Sequence, residues 1–165
     1  LATVLTDSIH ETSKGRVFSP SVKKRSFNVN NPMTQANSGA ITKDALDAFS
    51  NAWNDHDVDA LMTFMTEDCV FHTAAGNELQ GTTISGFDAV RDAFEQVWKN
   101  FPDVCWKDPE HTVLSGDKAI TESTFCATKP DGSRIEARMV DVFTVRDGKI
   151  AVKNAFRKDR PALVV

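Results

Sequence analysis

The sequence predicts an α+β fold in which a curved sheet, mixed or antiparallel, wraps around three N-terminal helices and leaves a conical cavity. Three observations predict it. Between Ile41 and Phe101 apolar residues recur at helical spacing in three stretches. After Pro102 four long stretches read as strands, at about 104–114, 118–128, 133–146 and 149–157. The segments between them, Ser115-Gly116-Asp117, Pro130-Asp131-Gly132 and Asp147-Gly148, carry hairpin chemistry. A meander of such long strands must curl around the helices to bury both apolar surfaces, and a curled sheet capped by helices encloses a space.

Each element can be justified in order. Residues 1–38 are rich in Ser, Thr, Asn and Lys, with Lys14, Arg16, Lys23, Lys24 and Arg25 against only Asp7 and Glu11. They show no helical or strand period and read as an extended or disordered basic arm. Its composition resembles an organelle transit peptide but lacks the apolar stretch of a secretory signal. Organellar targeting therefore stays open beside a cytoplasmic location, and Met33 is an alternative start. The folded domain is predicted over 39–165. Thr42 caps a helix carrying Ala45, Leu46, Phe49, Ala52 and Trp53. Asp57 caps a shorter one with Leu61, Phe64 and Met65, and Cys69–Thr73 reads as a strand. A loop with Gly76 and Gly81 leads to Ser85-Gly86-Phe87-Asp88, which has the form of a capping box. Phe87, Val90, Phe94, Val97 and Phe101 give the third helix its apolar face, and Pro102 stops it.

Composition narrows the function. At 165 residues the chain has room for one domain with a real core and a pocket. The net charge of −4 lacks the basic footprint of a nucleic-acid binder. No run approaches the ~18 apolar residues of a membrane span, so neither nucleic acid nor membrane is an expected partner. Cys69, Cys105 and Cys126 are odd in number and form no C-x-x-C pair, which predicts reduced thiols in a reducing compartment. His10, His56, His72 and His111 do not combine with them at metal-ligand spacing, so no metal is expected.

The candidate chemistry lies on the penultimate strand. Read at period two, Ile135, Ala137, Met139, Asp141, Phe143 and Val145 are all apolar except one aspartate. A carboxylate among such neighbours either finds a strong partner or keeps its proton, and enzymes use acids tuned in this way to move protons. His72 points outward if Phe71 and Thr73 face the cavity. His111 either enters the cavity or serves the structure, and His56 falls in a solvated turn. Glu122 either pairs outward with Arg138 or turns inward toward Asp141. On the last strand, alternation sends Ile150, Val152, Asn154 and Phe156 to the core. Trp53, Trp98, Trp106, Phe71 and Phe101 supply aromatic walls that suit a flat, apolar ligand.

Several of these stretches resemble the SnoaL-like branch of the superfamily that includes nuclear transport factor 2 and ketosteroid isomerase. They are Ala52-Trp53-Asn54 with Asp57, the run Phe64-Met65-Thr66-Glu67-Asp68-Cys69-Val70-Phe71, Gly86-Phe87-Asp88-Ala89-Val90, and above all Val140-Asp141-Val142-Phe143-Thr144-Val145-Arg146-Asp147-Gly148-Lys149-Ile150. The resemblance covers 41–160 and implies a homodimer, for which the apolar Val140 and Val142 offer an outer face. It also implies a cavity for a hydrophobic small molecule and a cofactor-independent isomerase, cyclase or lyase, or else a binding module without catalysis. Asp141 falls on the isomerase's oxyanion-binding aspartate. That enzyme's tyrosine position holds Phe49, and its base falls near Thr73. The limonene epoxide hydrolase pattern would need Ser123, Phe125 and Ala155 to be charged. A polyketide-cyclase pattern needs Asp141 alone. The family register turns Lys153 and Arg157 inward, which one bulge would reconcile with the alternation, and Lys153 then holds an anionic substrate or pairs with Asp141. The expected site is Asp141 as acid/base, with ligand contacts from Phe49, Trp53, Phe71, Thr73, Trp98, Met139, Phe143, Lys153 and Asn154.

Overall fold

The structure, a computed structural model, describes residues 39–163; the basic arm predicted over 1–38 lies outside the described residues. Three helices, α1 (Lys43–Asn54), α2 (Val58–Thr63) and α3 (Phe87–Asn100), combine with six strands. The strands are β1 (Met65–His72), β2 (Thr83–Ser85), β3 (Cys105–Ser115), β4 (Lys118–Thr128), β5 (Arg134–Arg146) and β6 (Lys149–Arg157). They form one mixed sheet in the order β2-β1-β6-β5-β4-β3, with β1 parallel to β6 and every other pair antiparallel. This is the predicted α+β class.

The helix starts follow from local chemistry. Thr42 Oγ1 accepts the Ala45 N–H at 3.1 Å and Asp57 Oδ1 accepts that of Ala60 at 2.9 Å. Each such cap stabilises its helix by about 1 kcal/mol. The capping box at Ser85 does not form. Ser85 is held in β2 opposite Val70, and α3 starts behind Gly86, whose φ of 93° suits glycine and whose N–H donates to Cys69 O at 2.8 Å. A ladder bond and a side-chain cap compete for one short segment, and the ladder prevails. Met65, expected on α2, is instead the first residue of β1, opposite Ile150. Helical spacing and strand burial both call for an apolar residue there, so periodicity could not separate them.

One irregularity sets the geometry of the site. Between β5 and β6 the register runs from Val145 opposite Ile150 to Thr144 opposite Val152, which makes Ala151 an extra residue on β6. Beyond this bulge the faces exchange. Lys153, Ala155 and Arg157 turn to the inner face. Asn154 and Phe156 turn outward, Phe156 to 54% exposure, which corrects the simple alternation predicted for the last strand. On edge strand β3 a second register shift accommodates Pro109, with Asp108 at a φ of 50°.

The core lies between the helices and the concave face. Phe49 makes edge-to-face contacts with Trp53, Phe64 and Phe143 at centroid distances of 6.4, 5.9 and 5.8 Å. Trp53 meets Phe94 at 4.6 Å, and Phe94 meets Phe71 at 5.4 Å. The loop after β1 is pinned by Thr73 N–H to Thr82 O, 3.1 Å. A Cβ on Gly81, at a φ of 88°, would lie 2.0 Å from Thr73 O, so only glycine lets the loop close over Thr73. All three cysteines are free, and burial pushes the Cys69 and Cys126 thiols above their ordinary pKa, toward inertness.

Candidate functional site

A cavity of about 690 Å³ opens between the sheet and α3. Its walls are aromatic and aliphatic: Trp53 from α1, Phe71 from β1, Phe101 behind α3, and Trp106, Phe125 and Met139 from the sheet. Thr73, Ala74 and Ala75 line it from the pinned loop. Asp92, Gln96 and Asn100 line it from exposed positions on α3, which places them at the rim. Two cations break the apolar wall, Lys153 and Arg157, both brought in by the bulge at Ala151.

Lys153 is 3% exposed and Asp141 7%. The Lys153 ammonium donates to Asp141 Oδ1 at 2.5 Å. Its Nζ lies 5.0 Å from the Phe71 ring centroid and 5.6 Å from that of Trp53, so the ring faces also hold the charge. The strand pattern required Asp141 either to be paired or to keep a proton, and the fold supplies the pair. Asp141 does not reach the main cavity. It lines an inner pocket of about 10 Å³, roughly one water in size, with Phe49, Ser50, Thr121, Ser123 and Phe143. Lys153 thus stands between Asp141 and the cavity. Trp53 lines both spaces, and its indole N–H is buried without a hydrogen-bond partner.

A polar row crosses the inner face beside this pair, with His111, Thr121, Asp141 and Ala155 consecutive partners across β3 to β6. His111 Nδ1 lies 2.8 Å from Thr121 Oγ1. Its Nε2 is 3.2 Å from Asp47 Oδ1 of α1 but off the direction of the N–H, so that contact is electrostatic only. Burial pushes the His111 pKa below its ordinary value, and the nearby Asp47 carboxylate only partly opposes this. His111 serves the wall beneath α1 and does not line the cavity.

The expected site residues separate into three groups. Trp53, Phe71, Thr73, Met139 and Lys153 line the cavity. Phe49 and Phe143 line the inner pocket beside Asp141. Trp98 and Asn154 line neither. Trp98 stacks on His56 at 5.0 Å, and Asn154 sits opposite His72 and Val142, outside the bulge-shifted inner face. His72 lies near Thr83, its Nδ1 3.2 Å from Thr83 Oγ1, and exposed Glu122 comes within 4.0 Å of Arg138. His56 is not left to solvent as expected: its Nε2 bonds Val104 O at 3.2 Å, a carbonyl distant in sequence. Arg157 and Phe125 complete the cavity but were not expected as ligand contacts; the signal for Arg157 was the family register, which turns it inward as the bulge at Ala151 does.

Three helices packed on the concave face of a six-stranded mixed sheet, around an aromatic cavity, are the ketosteroid isomerase-like, cystatin-like class of α+β folds. The sequence profile of the SnoaL-like domain matches residues 46–153, and the chain belongs to that family. Among curated proteins none matches it significantly in sequence. Among solved structures it resembles a proposed polyketide cyclase from Xanthomonas campestris pv. campestris, with TM-score 0.62 and 20% identity over 70% of this chain and 88% of that one. A protein of ketosteroid isomerase-like fold from Catenulispora acidiphila, in complex with trimethylamine, gives TM-score 0.60 and 17% identity over 70% and 85%. TerC, co-crystallised with polyporic acid, gives 0.60 and 20% over 70% and 89%. At these identities the likeness establishes the fold.

Two expectations follow from the electrostatics. Either Asp141→Asn or Lys153→Met alone strands a buried charge or its polar partner and should cost about 3–5 kcal/mol of stability. The double replacement should cost clearly less than the two added together, and urea titration of all four proteins measures the coupling. For His111 the folded-state pKa is depressed, so the unfolded chain binds the extra proton first as pH falls. Its contribution to stability should be complete above the ordinary value of 6.5 and decline as pH drops below it. Denaturation of wild type and His111→Gln between about pH 8 and pH 5.5 should show the slope in wild type and its reduction in the variant.

Proposed function

We propose that the chain binds a flat, largely apolar small molecule in the aromatic cavity and moves a proton on it without a cofactor, as an isomerase, cyclase or lyase, with Asp141 and Lys153 as the acid–base pair. The observation that carries this reading is the position of Lys153. Its desolvated ammonium is a proton donor set among the cavity's aromatic walls, with a carboxylate fixed behind it. Lys153 donates to a ligand oxygen on which negative charge develops as a neighbouring carbon gives up a proton. The Lys153 amine left by that donation takes up the carbon's proton, so the ligand becomes its enol tautomer and the protein is unchanged. In a water-excluded site such a preorganised donor stabilises charge far better than water does. Asp141, behind Lys153, holds the ammonium in place and stabilises its charged form when the proton returns. The solved structures of like fold with trimethylamine and with polyporic acid support a small-molecule cavity here.

Solvent-deuterium exchange tests this directly. Cyclic enolisable ketones and short aromatic polyketide-like compounds are incubated with the protein in deuterated buffer and followed by NMR. Wild type should exchange carbon-bound protons of at least one compound above the buffer rate. Asp141→Asn and Lys153→Met should lower that rate about 100-fold or more, the usual contribution of a positioned acid–base group. A second reading, a binding module without catalysis, rests on one observation: among the described residues lining the cavity the sole carboxylate is Asp92, at the exposed rim. Binding by NMR with no exchange in any protein would select that reading.

The chain acts as a homodimer through the outer sheet face. Ile120, Val140, Val142 and Val152 are only half-buried there, and Phe156 stands exposed beside Val140. Closed, two-fold pairing is the common way to cover such a face. Sedimentation velocity should find a dimer for wild type and a folded monomer for Phe156→Arg.

A further inference from the structure

We propose that Arg157 makes one end of the cavity a site for an anionic group, so that the ligands are flat aromatic anions rather than neutral apolar molecules. This deepens the proposed function and rests on its cavity, but not on its catalytic step. The first argument is an account of the cavity's charges. Lys153 is taken by Asp141 at 2.5 Å. Arg157 lines the same cavity, and among the described residues no carboxylate lies within ion-pair distance of it. Asp159, its nearest acidic neighbour in sequence, acts on it only at a distance. Asp92 lies eight residues before Asn100, the end of α3, about 12 Å along the axis, whereas Arg157 lies over Phe125, which meets Phe101 just beyond that helix end.

The second argument is physical. Burial pushes the half-buried guanidinium below its usual pKa, and the distant Asp159 carboxylate only partly opposes this. A desolvated, unpaired charge destabilises the fold, and an anion arriving with the ligand relieves that cost. The guanidinium is presented for such a partner. Its Cζ lies 4.7 Å from the Phe125 ring centroid, and the fork of N–H donors that a guanidinium carries matches a planar oxyanion. The backbone is fixed too: Arg157 pairs with Met139, and the next residue's N–H donates to Arg138 O at 2.9 Å.

The same account argues against a cationic ligand. The ring faces that would receive one already carry Lys153, over Trp53 and Phe71, and Arg157, over Phe125. Four residues along β6 separate the two cations, about 13 Å between their Cα atoms. A ligand of two or three fused or linked rings spans that distance, its anionic group at Arg157 and its reacting oxygen at Lys153.

Two fluorescent probes of one ring system, differing in charge, test the proposal. They are 1-anilinonaphthalene-8-sulfonate, which carries a sulfonate, and the neutral N-phenyl-1-naphthylamine. Wild type should bind both, each displacing the other, and only the sulfonate should weaken as salt rises. Arg157→Met should weaken the sulfonate at least 10-fold and leave the neutral probe within two-fold, and Arg157→Lys should recover part of the loss. An unchanged sulfonate affinity in Arg157→Met, or equal loss of both probes, would overturn the anion site and leave Arg157 as wall. If Arg157→Met does not fold, Arg157→Gln and the salt dependence of wild type decide: a sulfonate affinity flat in salt overturns the proposal. Wild type binding neither probe would refute the cavity reading and this inference together. Selective sulfonate loss with no proton exchange in the other experiment would leave the anion site standing in a binding module.

Discussion

The site depends on one buried ion pair, and the ion pair depends on one extra residue. Without the bulge at Ala151, strict alternation along β6 would turn Lys153 to the outer face and bring Asn154 inward. Asp141 would then sit on the apolar face of β5 with no cation in reach. The cost of leaving a carboxylate unpaired there is several kcal/mol, comparable with a large part of a domain's whole stability. The bulge is therefore as much a part of the site as the two side chains it brings together. It also brings Arg157 to the cavity, because every later residue on β6 inherits the same change of face.

Much of the fold was legible because several levels of the sequence agree. Thr42 and Asp57 cap where the apolar period begins, Pro102 stops α3, and the hairpin dipeptides separate strands whose ends fall within a residue or two of those observed. Legibility failed where two local rules competed. Ser85 could cap a helix or pair in a ladder, and Met65 satisfied a helical and a strand pattern equally well. The cavity residues Trp53, Phe71, Thr73 and Met139 could be read because a helix or an unbroken strand fixes each one's face. Asn154 could not, because its face is decided by Ala151, whose local sequence does not announce a bulge. Trp98 was misplaced for another reason. Aromatic residues on one helix divide between cavity and core by a fraction of a turn, and here His56, held by the Val104 carbonyl, takes the indole face.

Burial of the pair also separates this cavity from one built around a lone protonated acid. In that arrangement the acid itself meets the ligand. Here Asp141 faces an inner pocket among Ser50, Thr121 and Ser123, and the group presented to the cavity is an ammonium. Phe49, with no hydroxyl to donate, closes the core against Phe143. A single donor of this type suits a reaction in which charge develops on one oxygen. The neighbouring His111, kept neutral by burial and bonded to Thr121, adds no charge to the row that ends at Asp141.

The two cations line one cavity about 13 Å apart along β6 and differ in electrostatic standing, and this asymmetry gives the cavity a direction. Lys153 is neutralised from behind, so the pair presents a dipole that can donate a proton without attracting every anion that enters. Arg157 has no such partner among the described residues and keeps a net charge in an apolar wall. On the proposed reading, an entering aromatic anion gains most by placing its charge at Arg157, the cavity cation that has no ion-pair partner among the described residues. Its far edge is then carried toward Lys153 by the length of the strand between them. Binding energy collected at one end of the ligand fixes the position of the reacting atoms at the other, which is how remote contacts come to serve the chemical step.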